Sequence, residues 1–307
     1  MTSRLRALPL AALAWLGAVL AAPAAPRTVA DIPPVHSLVA MVMAGAGAPG
    51  LAVPPGASPH GFALRPSQAG ALAEAELAVW IGPRLAPWFE QALAALAPEA
   101  RSLALMAVPG TELLPIRTEA AFGREDHGHD HAEGGAMDEH AWLDPRNAAV
   151  WLEAIAEALA AEDPANAALY RANAAAGRAR LAALEAELIA RLAPVADRPF
   201  AVFHDAYRYF EHRFALNVVG AVTSGDARGP GAGRLSALRE RLAETGAVCL
   251  FSEPQFAPRL AATVAEGTGV RQGVLDPLGA RLEPGPELYP TLLRNLAEAL
   301  IDCLGGG

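Results

Sequence analysis

The longest helical pattern in the chain, Pro164 to about Ala193, constrains the fold most, because of what lies on either side of it. Pro164 stands where a first-turn proline is tolerated, and Asp163 before it is a candidate N-cap. Leu181, Leu184, Leu188 and Leu192 recur at three- and four-residue spacing, and Pro194 and Pro199 flank the exit. Thirty helical residues span about 45 Å, enough to cross two domains. Before this helix, short apolar runs (Thr28–Ile32, Leu51–Val53, Leu77–Ile81) alternate with helical patterns (Val35–Met43 opened by Pro33 and Pro34, Arg65–Ala75, Asn147–Ala161). After it the alternation resumes, with runs at Phe200–Phe203, Val218–Val222, Val248–Ser252 and Val270–Leu275. The helical patterns between and after these runs are Asp205–Phe214, Leu235–Thr245, Pro258–Gly267 and Tyr289–Leu304. Alternation of this kind predicts α/β units with mainly parallel sheets. The expected division is an N-terminal lobe over 25–162, a linking helix over 163–194 and a C-terminal lobe over 195–307.

The first residues are set apart from this pattern. Arg4 and Arg6 precede an apolar run from Leu8 to Leu20, and small residues around Ala22–Ala24 offer cleavage sites. This reads as a secretory signal over 1–24, too short for a membrane span. No other segment is long and apolar enough to cross a bilayer, so a soluble, exported protein of about 280 mature residues is expected. The net charge of −9 argues against a nucleic-acid footprint. Two cysteines, Cys249 and Cys303, form an even count in an exported chain, which points to a disulfide. Free thiols or thiolate metal ligands are the alternatives.

Chemistry is concentrated in histidine. Four of the eight, His127, His129, His131 and His140, fall between Arg124 and Asp144 among acidic and small residues. Imidazole and carboxylate together suit borderline divalent ions such as zinc. The segment Arg117–Glu139 has almost no apolar periodicity and reads as a mobile loop. His127, His129 and His131 alternate with Gly128 and Asp130, and are expected to form a weaker auxiliary metal site. Three further positions matter more. His60 (in SPHGFALRPSQ), His140 (in HAWLDPRNA) and His204 (in VFHDAY) each sit at a strand–loop–helix junction, as does Asp276 in LDPLG. In open α/β sheets such junctions bind ligands. Three imidazoles and one carboxylate make a tetrahedral zinc shell, here drawn from both lobes. Binding requires neutral imidazole, so affinity is expected to fall below about pH 6.

Other candidates carry less. His36 reads as a structural residue of the first helix. His212 lies eight residues after His204, about 12 Å along a helix and too far for the same ion. Trp80, Trp88, Trp142 and Trp151 read as packing. Asp205 and Glu211 are candidates to orient imidazoles. Gly225–Gly233 lacks the GK[ST] ending of a phosphate loop.

Taken in order, the Thr28–Met43 opening, SPHGFALRPSQ, LAVWIGP, HAWLDPRNA, VFHDAYRYFEHRF, LFSEPQF and LDPLG resemble the zinc-binding proteins of bacterial ABC importers, the ZnuA-type members of the cluster A-I substrate-binding family. The resemblance covers nearly all of the mature chain. It implies two Rossmann-like α/β lobes bridged by a rigid helix, with the metal in the cleft and His60, His140 and His204 as its ligands. It leaves the fourth position to Asp276 or water, because a glutamate used by some members just before the first histidine is replaced here by Pro59. Members selective for manganese or iron tend to carry a carboxylate where His204 stands, so zinc is the expected ion. The family's cysteine pair is matched by Cys249 and Cys303. The resemblance further implies a periplasmic, monomeric, non-enzymatic protein partnered by an inner-membrane ABC permease and its cytoplasmic ATPase. A manganese or iron relative, a metal-binding adhesin and, more remotely, a zinc hydrolase are the rival readings. No HExxH motif accompanies the histidines.

Overall fold

The computed structural model describes residues 25–117, 119–122, 135–225 and 229–306. The expected signal segment 1–24 and the auxiliary histidines His127, His129 and His131 lie outside the described residues.

Two four-stranded parallel sheets form the frame. The first contains β1 (Thr28–Ala30), β2 (Gly50–Leu51), β3 (Leu77–Trp80) and β4 (Arg101–Ala104) in the order β2-β1-β3-β4. The second contains β5 (Phe200–His204), β6 (Val218–Thr223), β7 (Cys249–Ser252) and β8 (Arg271–Val274) in the equivalent order β6-β5-β7-β8. Parallel pairing demands crossovers, and helices covering both faces bury the inner strands completely. That is why Leu77–Trp80 and Phe200–His204 are buried at every position and read as continuous apolar runs.

The helices are α1 (Pro33–Val42), α2 (Pro66–Ala73), α3 (Pro87–Leu96), α4 (Pro145–Glu162), α5 (Ala167–Leu192), α6 (Arg208–Phe214), α7 (Ala232–Thr245), α8 (Pro258–Ala265) and α9 (Leu288–Gly305). Five of them, α1 to α4 and α8, start with proline in the first turn, where its missing N–H has no partner to lose. The expected long helix is α5. It is preceded by a 3-10 turn over Pro164–Asn166, because Asp163 accepts from the Asn166 backbone N–H at 3.4 Å and from Tyr170 Oη at 2.8 Å. Along α5, Tyr170, Ala174, Gly177, Leu181, Leu184, Leu188 and Leu192 form one buried stripe. Gly177 lets α4 approach closely, since a Cβ there would stand 2.9 Å from Leu152 Cδ1.

Two elements, α3 and β4, fall in a stretch to which the sequence reading assigns nothing. The Arg117–Glu139 stretch also differs from its expectation at its described ends. Ile116 donates to the Ala136 carbonyl at 3.0 Å and Asp138 to the Leu114 carbonyl at 2.8 Å, forming a closed neck. Beyond it, Ala120–Phe122 runs antiparallel to the outer edge of β6, with Phe122 N–H on Val219 O at 2.9 Å and Ala221 N–H on Ala120 O at 3.1 Å. This covers an edge that would otherwise present unpaired backbone. Gly220 permits the approach, since a Cβ there would meet Ala120 O at 2.5 Å.

The lobes share one core. A continuous apolar cluster runs from Ile32 and Val35 through Tyr170 and Leu181 to Phe200, Leu293 and Leu304. The C-terminal helix α9 lies against α1 and α5, and Tyr289 N–H reaches Ser37 Oγ at 3.0 Å. A disulfide joins Cys249 on β7 to Cys303 on α9.

Candidate metal site

His60 is presented by a 3-10 turn, Pro59–Gly61. Ser58 caps it, accepting the His60 N–H at 3.4 Å, and Trp88 Nε1 donates to the Pro59 carbonyl at 2.7 Å. His140 stands just before a second 3-10 turn, Ala141–Leu143, which leads into α4 through the cap residue Asp144. Asp138 Oδ1 accepts both the His140 backbone N–H and its ring Nδ1–H, each at 2.8 Å. His204 is the last residue of β5, and its Nε2 lies 2.8 Å from the Gly225 carbonyl. Since a carbonyl can only accept, Nε2 carries the hydrogen in that contact.

These three histidines, from three separate segments of both lobes, come together. Ring centroids are 5.4 Å apart for His60–His140, 5.1 Å for His60–His204 and 4.8 Å for His140–His204. One nitrogen of each lies within 4.8 Å of the others. Zinc–nitrogen bonds of about 2.0–2.1 Å put tetrahedral ligands about 3.4 Å apart, so small side-chain shifts close the shell. The rings line a cavity of about 10 Å³ together with Trp142, Glu253 and Phe256, a space fit for one water-sized sphere. His140 is 1% and His204 3% exposed. His140 Nε2 is buried with no hydrogen-bond partner, so its lone pair is available to a ligand.

Charge at the site is divided unevenly. Burial, with the neighbouring His204 charge second, pushes the His140 imidazole down to about 3, so it stays neutral at pH 7 as a metal requires. Burial also presses on His204, but the Glu253 carboxylate beside it outweighs that effect and lifts the ring to about 9.

Asp276 is not among the groups that meet. Its Oδ1 accepts from Gln255 Nε2 and from the backbone N–H groups of Leu278 and Gly279, and its Oδ2 accepts from Ala280 N–H at 2.6 Å. A carboxylate so engaged organises the Asp-Pro-Leu-Gly turn. That turn bears on the site in another way: Pro277 O accepts from Trp142 Nε1 at 2.8 Å, and the Trp142 ring packs at a tilt against His140, with centroids 5.1 Å apart. Asp205 and Glu211 also differ from expectation. Among the described residues neither contacts an imidazole. Both grip the buried Arg117 guanidinium, at 2.6 Å and 2.8 Å, while Arg117 stacks 3.8 Å above the Phe122 ring. His36 is buried in α1 with Nε2 3.1 Å from Pro49 O, and His212 pairs with Glu112 at the surface, 3.1 Å away.

Asp138 therefore orients His140, while His204 has the Gly225 carbonyl on Nε2 and the Glu253 carboxylate 3.5 Å from Nδ1; the sequence reading gives none of the three a role at the site. Asp138 and Glu253 carry a signal, each being an acidic residue in or beside an apolar junction (MDEHAW, LFSEPQF). The Gly225 carbonyl carries none.

The family model described as "Zinc-uptake complex component A periplasmic" matches residues 28–303. The chain is 43% identical to the high-affinity zinc uptake system protein ZnuA of Paracoccus denitrificans, over 97% of this chain and 98% of that protein. It is 41% identical to the ZnuA of Brucella abortus, over 90% and 91%. Among solved structures, a crystal structure of ZnuA superposes with a TM-score of 0.77 at 26% identity, covering 91% of this chain and 99% of that one. A zinc-bound deletion mutant of ZnuA gives 0.75 at 27% identity, over 91% and 98%. A manganese complex of the substrate-binding protein FpvC from Pseudomonas aeruginosa, at 23% identity and a TM-score of 0.76, shares the fold. The chain belongs to the ZnuA family of periplasmic zinc-uptake components.

Proposed function

We propose that this protein captures Zn²⁺ in the periplasm and delivers it to an inner-membrane ABC permease driven by a cytoplasmic ATPase. His60, His140 and His204 are the zinc ligands in this reading, with water rather than Asp276 in the fourth position, because both Asp276 oxygens are engaged by other donors. The observation that carries it is the convergence of three imidazoles from both lobes on one cavity of ionic size. Three nitrogen donors suit zinc, whereas manganese prefers oxygen. A ligand set split between lobes also suits a carrier, because separating the segments that supply the imidazoles dismantles the site. The relatives named above as zinc-uptake proteins support the same assignment.

Metal-stripped protein titrated with zinc against a chromophoric chelator tests the proposal. One tight zinc per chain is expected, with manganese binding far weaker. His60→Ala, His140→Ala and His204→Ala should each weaken zinc by at least tenfold, about 1.4 kcal/mol. Wild-type affinity in all three variants rejects the assignment.

A further inference from the structure

Behind His204 stands a carboxylate with no assigned task. Glu253 follows β7, is 5% exposed, and lines the same cavity as the three histidines. Its Oε1 is buried without a hydrogen-bond partner, and its Oε2 lies 3.5 Å from His204 Nδ1, which is likewise buried without one. A carboxylate buried this way is expensive unless something charged or hydrogen-bonding completes it. Asp276 gives no relief, since its own negative charge makes a charge on Glu253 more costly. Nor is Glu253 among the groups whose ligand atoms all lie within 4.8 Å of one another, so its route to an ion runs through His204.

His140 shows what such a carboxylate does. Asp138 takes the Nδ1–H at 2.8 Å and leaves Nε2 bare. Ligating histidines commonly use a carboxylate in this manner to fix tautomer and ring orientation. His204 is turned the other way. Its Nε2–H points at the Gly225 carbonyl, while Nδ1 faces Glu253 without a hydrogen bond.

We propose, resting on the zinc-binding reading above, that Glu253 is the positioning residue for His204. In the zinc-bound protein it accepts the Nδ1–H of His204, which leaves the lone pair on Nε2 and turns that nitrogen from the Gly225 carbonyl to the metal. The two lobes then hold their ligands by the same device, Asp138 behind His140 and Glu253 behind His204.

The test uses the full mature chain and zinc itself. Glu253→Gln keeps the shape and removes the charge; it should weaken zinc by about 10–100-fold, the usual range for such a partner. Glu253→Asp should restore most of the loss. In a His204→Ala background, Glu253→Gln should change affinity less than threefold, whereas in a His140→Ala background its full effect should persist. Equal effects in the two backgrounds overturn the proposal, as does wild-type affinity in Glu253→Gln. Long-range ¹H–¹⁵N spectra of zinc-loaded wild-type protein give a readout independent of any variant. Protonated Nδ1 with metal on Nε2 is expected for His204; metal on Nδ1 overturns the proposal while leaving the three-histidine site intact. Absence of tight zinc binding in the wild type instead removes the reading on which it rests.

Discussion

The two lobes have the same sheet order, yet they use the end of their first strand in opposite ways. In the first lobe β1 runs into Asp31, which is completely buried. Its Oδ1 accepts the Ile32 N–H at 2.8 Å and its Oδ2 the Ile81 N–H at 2.9 Å, locking the ends of β1 and β3 together. In the second lobe β5 runs into His204, whose ring faces the other histidines. One strand end is committed to structure and the other to the ligand. The first lobe makes up for this with two histidines brought in by turns, His60 capped by Ser58 and His140 held by Asp138. Parallel topology decides where a site can form. Local hydrogen bonds decide which strand end, turn or loop furnishes the donor.

The strongest challenge to that comparison is to cut what joins the lobes. Arg117, in a segment contributed from the first lobe, is gripped by Asp205 and Glu211 of the second. Arg117→Ala strips the cation from two buried carboxylates and should cost about 3–5 kcal/mol of stability in urea unfolding. A loss under 1 kcal/mol would mean the lobes are held by their shared core alone. Removing the Cys249–Cys303 bridge, which spans 54 residues, should cost about 4 kcal/mol on the chain-entropy model. The cost should appear in unfolding of both lobes together, since α9 packs against helices of the first.

The third prediction isolates the committed strand end. Burial raises the Asp31 carboxyl to about 7, against the opposing pull of its backbone donors. Between about pH 4 and pH 7 the folded state then retains a proton that the unfolded chain has released. Stability from this group is therefore fully present below about pH 4 and is lost as pH rises through 7. The ceiling is roughly 4 kcal/mol, from about 1.4 kcal/mol per pKa unit. Unfolding free energies measured at intervals from pH 4 to 8 should fall with rising pH more steeply in wild type than in Asp31→Asn. An identical pH slope in both proteins would show that Asp31 does not set it.

Much of this was legible in the residues. Strands β1, β3, β5 and β7 are covered on both faces, so they had to be continuous apolar runs. Helix α5 had to carry a leucine stripe to reach both lobes. β4 escaped because it is an edge strand with Arg101 and Ser102 exposed, and α3 because Ala86 gives it no polar cap. The three histidines could be named from their junctions and from the family motifs. Their supports could not. Glu253 is 49 positions from His204 in the chain, and the Gly225 contact is made by a backbone carbonyl, which every residue possesses. Asp276 competes with water for the fourth position in the sequence because it is an acid at a strand end. An aspartate before proline and glycine also builds turns, and that use is the one in which its oxygens are engaged.

The orienting carboxylate of the first lobe gives the fourth prediction. Asp138→Asn keeps an amide oxygen able to accept the His140 Nδ1–H but loses the negative charge that strengthens that bond, and zinc affinity should drop by about 10–100-fold. Chelator competition reads this directly. An unchanged affinity would show that the charge of Asp138 contributes nothing to the metal affinity.

The smallest expected effect is at Asp276, and it discriminates most finely between a ligand and a turn. If the carboxylate were bound to zinc, Asp276→Asn would cost as much as loss of a histidine, because a metal–oxygen bond and a negative charge would both go. The geometry argues otherwise. Asp276 accepts four hydrogen bonds, three from the backbone of its own turn. Asparagine keeps one oxygen for those donors, so the turn weakens without a vacancy opening in the zinc shell. The expected outcome is a zinc affinity within tenfold of wild type, less than about 1.4 kcal/mol, with a modest loss of thermal stability. The stability loss should come from Pro277, whose carbonyl carries Trp142 and, through it, the packing against the His140 ring. A loss of zinc affinity as large as that of His140→Ala would place Asp276 in the metal shell, and the two lobes would then contribute two ligands each.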